Sequence, residues 1–446
     1  MRRPKNQYRP LVCVVIVLLC ACGAEQGQAA ELKAGVARVD LTPPLSLKAT
    51  LGGYGARMGQ PAEGVHDRVL AKALVLVEGN RKYAVVTADV LGFPPAIKPA
   101  VLERLAESGW KSEQILLLPS HSHTSLEMGQ INPKNIFGIP QIGIYSAELY
   151  ELTVANLVEV IRQAEQDLVD VSVGTSSGKI TGWNRNRRVK GGVTDAALTL
   201  TRVDKLDGAP LAVLVNFTAH PTIMAAEDML FSGGWPGHLQ RTLESLIGDG
   251  VTVMYYNGAQ GDQSPVSRTD SGTSRWERAE KYGRELALLC RQSWQTTVTQ
   301  RDIAFGYHLQ PFPLPERTAH RDFMKTGGSE YGLTKLLMSE LLPRLFPENS
   351  ASGSLRLGEL VIVGVPGEAA AELGLTIKAR TREITGAQHA VIGGLANEWV
   401  SYILSAEEYE RGRYEASISF YGAKLGETVV AAAVEGVEQL EAQSGK

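Results

Sequence analysis

The chain has 446 residues, 44% of them hydrophobic and 21% charged, and a formal net charge of −3. These values exclude a disordered or fibrous protein. With Arg185, Arg187, Arg188 and Lys190 as the only short basic cluster, they also argue against nucleic acid as a partner.

Residues 1–30 read as a targeting leader. Arg2, Arg3, Lys5 and Arg9 precede an apolar run, Leu11–Leu19, that is too short for a membrane span. Leu19-Cys20-Ala21-Cys22 has the form of a bacterial lipobox, which makes Cys22 a lipid anchor to a membrane surface; a cut near Gln28-Ala29-Ala30 would instead release a soluble protein. Either route predicts export, to the bacterial cell envelope as a lipoprotein or to the periplasm or medium. Cys13, Cys20 and Cys22 lie in this leader, so Cys290 is the one cysteine left for residues 31–446. That excludes an intramolecular disulfide there and leaves His, carboxylate or Tyr as metal ligands.

From residue 31 onward the pattern predicts alternating strands and helices. Strands are expected at 34–41, 69–77 and 83–90, a helix at 99–108, and a strand at 115–118. The turn Gly52-Gly53-Tyr54-Gly55 is expected to bring backbone close to something. A long amphipathic helix follows at 146–168 with Ser146 as N-cap. Strands at 171–174, 210–218 and 251–256 bracket a polar loop, 182–188, and a helix from Gly233 to about Leu246. Helices at 274–294 and 329–345, extended stretches at 303–309 and 355–365, a helix to about Ile384, a strand at 390–394 and a last helix at 426–440 complete the chain. Many strands are continuously apolar. That favours an α/β fold with a largely buried mixed sheet flanked by helices and an active site at strand C-terminal ends.

Four apolar runs end in polar clusters. Ile115–Pro119 runs into His121 and His123, and Leu211–Ala219 into His220. Val251–Tyr256 runs into a Gly/Asp/Ser loop that holds Ser264, and Leu360–Val365 runs towards Glu368. In extended backbone His121 and His123, two apart, would face the same way. Two histidines and a carboxylate suffice for a catalytic zinc with an open position, here His121, His220 and Glu368. Each has a structural alternative: His220 before Pro221 can end a strand, and Glu368 can serve the first turn of a helix. Ser264 lacks the Gly-x-Ser-x-Gly elbow and can be a turn residue.

Several motifs, in order, raise the functional reading. They are Leu41-Thr42-Pro43, Gly52-Gly53-Tyr54, His121-Ser122-His123-Thr124, Asn184-Arg185-Asn186-Arg187, Ala219-His220-Pro221-Thr222, Gly261-Asp262-Gln263-Ser264-Pro265, Pro366-Gly367-Glu368, and Tyr402 followed by Glu407-Glu408-Tyr409 and Tyr414-Glu415. Together they resemble the neutral/alkaline ceramidases, zinc-dependent amidases, over about residues 35–425.

The resemblance implies one zinc per chain held by His121, His220, Glu368 and Tyr402. It implies that His123 and Arg187 contact substrate near the amide and that Tyr414 donates to the oxyanion. Ser264 matches the serine treated as nucleophile or substrate-orienting hydroxyl. Zinc-hydroxide is preferred as the attacking group because His123 is the only base evident for Ser264. The implied reaction is hydrolysis of the N-acyl amide of ceramide or a related N-acyl lipid. A zinc hydrolase of the same build acting on another amide or ester, and a non-catalytic envelope lipoprotein, are the alternatives. The chain departs from the family at Leu126-Glu127-Met128, where Gly-Pro-Gly is usual, at Ala416 for Gly, and at Val266 for Asn. The family's C-terminal immunoglobulin-like domain has no counterpart in the sequence.

Overall fold

The computed structural model describes Met1 and residues 31–248, 250–267 and 273–444; the leader with its lipobox therefore lies outside the described residues. From Glu31 onward the chain clusters as one unit. Its larger sheet has eight strands in the spatial order Thr252–Asn257, Pro210–Phe217, Ala197–Lys205, Val169–Lys179, Lys33–Asp40, Leu70–Glu78, Arg81–Ala88 and Ile115–Pro119. The two outermost pairs are parallel and the rest antiparallel, so the sheet is mixed. A second sheet runs Phe305–Pro313, Asn349–Leu357, Leu360–Gly364 and His389–Gly393, with its last pair parallel.

The two sheets face each other, with helices outside both. Along Leu70–Glu78, Leu74 and Leu76 join Leu116, Met254, Ile362 and Val391 in the core between the sheets. Ala71, Ala73 and Val75 alternate to the other face, against Val101 and Leu105 of helix Ile97–Leu105 and Leu157 and Ile161 of helix Ala147–Gln166. A strand buried on both faces loses the apolar/polar alternation of a half-exposed one, which is why these segments read as unbroken apolar runs. Helices Gly234–Ile247 and Arg275–Thr296 cover the other half of the large sheet. Helices Ala371–Thr385 and Leu425–Ser444 cover the second sheet. Among the described residues no helix is long and apolar enough to cross a membrane.

Most expected elements are present, and the Ser146 cap is as read: its Oγ accepts from Leu149 N; the helix expected from 274 is opened by Ser274 in a capping box. Four readings are corrected. Ala197–Lys205 is a strand that the sequence reading omitted; alternating Leu198, Leu200 and Thr199, Thr201 carry a two-residue period masked by Arg202 and Asp204, which pair with each other. The polar loop 182–188 contains the short strand Asn184–Asn186, paired with Gln263–Pro265. The single stretch 355–365 is two strands, turned at Gly358, whose φ of 62° suits glycine. The helix expected at 329–345 is broken into Gly327–Glu330 and Lys335–Leu345, the second restarted by Thr334 as N-cap.

Candidate metal centre and cavity

The four strand ends meet. His121 follows Ile115–Pro119, His220 follows Pro210–Phe217, and Glu368 begins the two-residue strand Glu368–Ala369, which pairs in parallel with Tyr402–Ile403. The Gln263 carbonyl receives the His220 N–H, tying the Ser264 loop to the second histidine. His121 and His123 do converge, with ring centroids 4.9 Å apart, but not through extended backbone. His121 has φ 66°, the left-handed region that non-glycine residues avoid, and His123 lies in the following turn. Such strain persists only where surrounding structure imposes it. Here the His121 N–H donates to the Val90 carbonyl, and the ring lies against Leu91.

Hydrogen bonding sets the tautomers. His121 Nδ1 faces the Leu91 carbonyl and His220 Nδ1 the Gln260 carbonyl at 3.2 Å. A carbonyl only accepts, so both Nδ1 atoms carry hydrogen, and in a neutral ring the Nε2 atom then presents its lone pair. Those Nε2 atoms are 3.1 Å apart. Glu368 Oε2, a buried oxygen with no hydrogen-bond partner among the described residues, lies 3.4 Å from one and 3.6 Å from the other. His123 Nε2 is 3.4 Å from His121 Nε2.

Lone pairs facing lone pairs repel, and a cation among them removes the repulsion. The spacings also suit zinc: a tetrahedron with arms of about 2.0–2.1 Å has edges of about 3.4 Å. The residues present therefore fit a metal ion. Burial, first of all, holds His123 and His220 well below the usual histidine range, so both are neutral donors. Burial pushes Glu368 up, but His121, Arg187 and the Tyr402 hydroxyl outweigh it, and the carboxyl sits below its ordinary range.

A second shell holds these groups. Trp399 Nε1 donates to Glu368 Oε1 at 2.9 Å. Arg187 Nη2 donates to the Tyr402 hydroxyl at 3.0 Å and to the Gly261 carbonyl at 2.8 Å, while its Nε donates to Glu415 at 2.8 Å. Arg187 thus stands behind Tyr402 and is not among the described residues lining the cavity. Burial raises Tyr402 well above the usual tyrosine range, and Glu368 adds to the rise.

Gly53, at φ 87°, backs the His123 ring: a Cβ there would lie 2.3 Å from Nδ1. Arg57, buried, donates to the carbonyls of Gly52, His123, Ala225, Ala226 and Asp228, so it clamps the glycine turn to the histidine loop. The Gly52–Gly55 expectation thus holds, and its target is His123. Neither Arg57 nor Trp399 was singled out from sequence, because an isolated Arg or Trp carries no spacing signal.

Ser264 is half-buried on its short strand, opposite Arg185, and is not among the described cavity-lining residues. Tyr414 is, together with His121, His123, Glu368 and Tyr402. The rest of that wall is largely apolar: Leu91, Met338, Leu341, Trp399, Phe346 and Phe420. Glu127 and Met128, two of the positions where the chain departs from Gly-Pro-Gly, also line it.

A second histidine cluster, His66, Asp67 and His238, brings ligand atoms together near the surface. It suits a metal poorly. Arg241 Nη2 donates to His238 Nδ1 at 3.1 Å, and arginine has no lone pair to offer, so the hydrogen of the neutral ring sits on Nε2. Burial, then Arg241, pushes His238 down to about 4, which keeps it neutral. Asp67 is already taken by Arg241, Ser232, His66 and the Gly233 N–H.

In this α/β protein a cluster of histidine and carboxylate donors that could hold a metal ion lies at strand ends beside an apolar cavity. The sequence pattern of the neutral/alkaline non-lysosomal ceramidase N-terminal domain matches residues 32–266 and 342–430, and the chain belongs to that family. Neutral ceramidase A of Dictyostelium discoideum is 23% identical over 87% of this chain and 70% of its own length. The neutral ceramidase of Pseudomonas aeruginosa is 20% identical over 92% and 72%. The crystal structure of a Pseudomonas aeruginosa neutral ceramidase superposes with a TM-score of 0.79 at 18% identity, over 93% of this chain and 75% of that one. Residues 267–341, which include Phe323, Leu333, Met338 and Leu341 of the cavity wall, fall outside the family pattern.

Proposed function

We propose that the protein is a zinc-dependent amidohydrolase that cleaves the N-acyl amide bond of ceramide or a related N-acyl lipid, releasing fatty acid and amine. The observation that carries this reading is the pair of facing Nε2 atoms of His121 and His220, with Glu368 Oε2 beside them, where His121 and Glu368 line an apolar cavity. His121, His220, Glu368 and Tyr402 are assigned as the ligands of one zinc. Zinc bound there supplies Lewis acidity towards an amide carbonyl and towards water.

The chain's own residues do the rest. Apolar walls hold an aliphatic chain and exclude water from around the amide, which strengthens every polar contact there. His123, neutral and backed by Gly53, is assigned to the reacting amide. Tyr414, whose hydroxyl burial keeps protonated, is assigned as donor to the developing oxyanion, a contact worth about 3 kcal/mol where such donors have been removed. Arg187 supports this side of the site through Tyr402. Ser264, adjacent to the carbonyl that receives the His220 N–H, is assigned the role of orienting hydroxyl. The reading extends to residues 31–446 as the catalytic domain and to residues 1–30 as an export leader.

One preparation tests the reading. Metal analysis should return about one zinc per chain, and a panel of N-acyl lipids should include at least one that is turned over, with His220→Ala losing both properties. Active protein free of metal would overturn the zinc assignment. A zinc protein inert towards every N-acyl lipid would favour a hydrolase of another amide or ester.

A further inference from the structure

His121 and His220 meet although the strands that lead to them do not. Ile115–Pro119 and Pro210–Phe217 are separated by five strands in the hydrogen-bonded order of the large sheet, and among the described residues no ladder pairs one with the other. A link between them is supplied by the turn 394–397, which follows strand His389–Gly393 of the second sheet. Two residues of this turn carry a β-carbon in left-handed backbone, Leu395 at φ 53° and Asn397 at φ 67°. Leu395, Ala396 and Asn397 are all buried. A left-handed leucine persists only where the contacts around it impose the path.

Those contacts run to the segments that carry the metal donors. Gly394 N donates to the Asn257 carbonyl at 2.9 Å. The Asn257 side chain in turn grips Ala219, the residue before His220: Nδ2 donates to the Ala219 carbonyl at 2.9 Å and Oδ1 accepts from Ala219 N at 3.3 Å. The same Nδ2 faces the Ser120 carbonyl, just before His121, at 3.5 Å. Leu395 N donates to the carbonyl of Gly367, the residue before Glu368, at 3.1 Å. Asn397 binds Leu117 in both directions, its N–H donating to the Leu117 carbonyl at 2.8 Å and its Oδ1 accepting from Leu117 N at 3.0 Å. Leu117 lies on the edge strand that leads to His121, so without Asn397 both of its backbone groups would lack a ladder partner. Asparagine suits the position twice over, since it tolerates left-handed backbone and its carboxamide oxygen replaces a strand carbonyl.

We propose that Asn397 and Asn257 are positioning residues, joined by the turn 394–397, that set the separation of His121 from His220 and Glu368 and so pre-form the metal site. This rests on the functional reading above for the metal. Neither asparagine is among the described residues lining the cavity, so each acts through the backbone of a donor-bearing segment. When a strand end is released, its histidine drifts and must be brought back on binding. Supporting groups of this kind are worth about 10- to 100-fold in metal affinity.

The test compares Asn397→Gly, which keeps the left-handed path and the N–H but loses the acceptor, with Asn397→Asp, which keeps an acceptor oxygen. Leu157→Ala, in the core between the large sheet and helix Ala147–Gln166, serves as a destabilised control. The readouts are zinc affinity by competition with a chelator, the absorption spectrum of the cobalt(II)-loaded protein, and melting curves. Asn397→Gly should weaken zinc binding about tenfold or more and change the cobalt spectrum, while Asn397→Asp should stay within about threefold of wild type. Leu157→Ala should melt lower with affinity and spectrum unchanged. An Asn397→Gly affinity within about twofold of wild type overturns the proposal, as does an equal loss in Leu157→Ala at the same melting point. If Asn397→Gly does not fold, Asn257→Ala takes its place in the same comparison. A crystal structure of the folded variant without metal needs no zinc binding: His121 and His220 Nε2 atoms moved from their wild-type separation support the proposal, and atoms left in place overturn it. A wild-type protein that binds no zinc would count against the functional reading, while that crystal structure still judges this one.

Discussion

Gly53 shows how much of the site rests on a single missing atom. The glycine takes φ 87° and leaves room for the His123 ring where a Cβ would collide with it. Gly53→Ala therefore combines a left-handed alanine with a displaced histidine. We expect kcat to fall by about 10- to 100-fold, since shifts of about 1 Å at reacting groups have that scale of effect, with a stability loss of at least about 1 kcal/mol. Steady-state kinetics and a thermal midpoint check this, and an unchanged kcat would remove His123 from the reacting group. His121 makes the converse point. A β-carbon-bearing residue is held in left-handed backbone because the turn must bring its ring beside that of His220. The His-x-His spacing drew attention to two rings that do converge, but through a turn and not through extended backbone.

At the scale of elements, the site is an assembly of ends. Glu368 reaches His121 and His220 because the loop carrying Gly261 packs directly on its strand: Gly261 N donates to the Ala369 carbonyl, and a Cβ on Gly261 would lie 2.4 Å from the backbone carbonyl oxygen of Glu368. Gly261→Ala should push Glu368 away from the histidines. The expected outcome is reduced zinc content in purified protein and a stability loss of about 1–3 kcal/mol from overpacking. Full zinc occupancy in this variant would count against Glu368 as a ligand. The break at Tyr331–Thr334 belongs to this scale as well. Continuous helix through 329–345 would give Glu330 and Leu341 one common axis, whereas two pieces let Glu330 meet Gly55 while Met338 and Leu341 face the cavity.

For the whole molecule, what matters is how the two sheets are held together. Lys378, on a helix covering the second sheet, binds both oxygens of Asp195 at 3.1 and 2.9 Å. Asp195 precedes a strand of the large sheet, and its carbonyl receives Asn184 Nδ2. Both side chains are buried. Lys378→Met would strand a carboxylate in the interior and should cost about 3–5 kcal/mol, whereas Lys378→Met with Asp195→Leu should recover much of that, as buried pairs replaced together often do. Urea unfolding measures both, and a single-variant cost below about 1 kcal/mol would show that the pair is not what joins the layers.

How much of this was legible follows from range. Local chemistry determined the strands, because apolar runs must be buried, and the helix starts at Ser146 and Ser274, because a hydroxyl caps its own neighbours. Ordered motifs also pointed to His121, His220, Glu368, Tyr402 and Tyr414 before any geometry was known. Tertiary structure alone decided the rest. It set which nitrogen of each histidine bears a lone pair, since that depends on carbonyls at Leu91 and Gln260 distant in the chain. It put Arg187 behind Tyr402, and it brought the Tyr331 hydroxyl to 3.4 Å from that of Tyr414, 83 positions further along the chain. Sequence periodicity records which side chains avoid water; hydrogen-bond direction between distant strand ends is created only when the sheets close on each other.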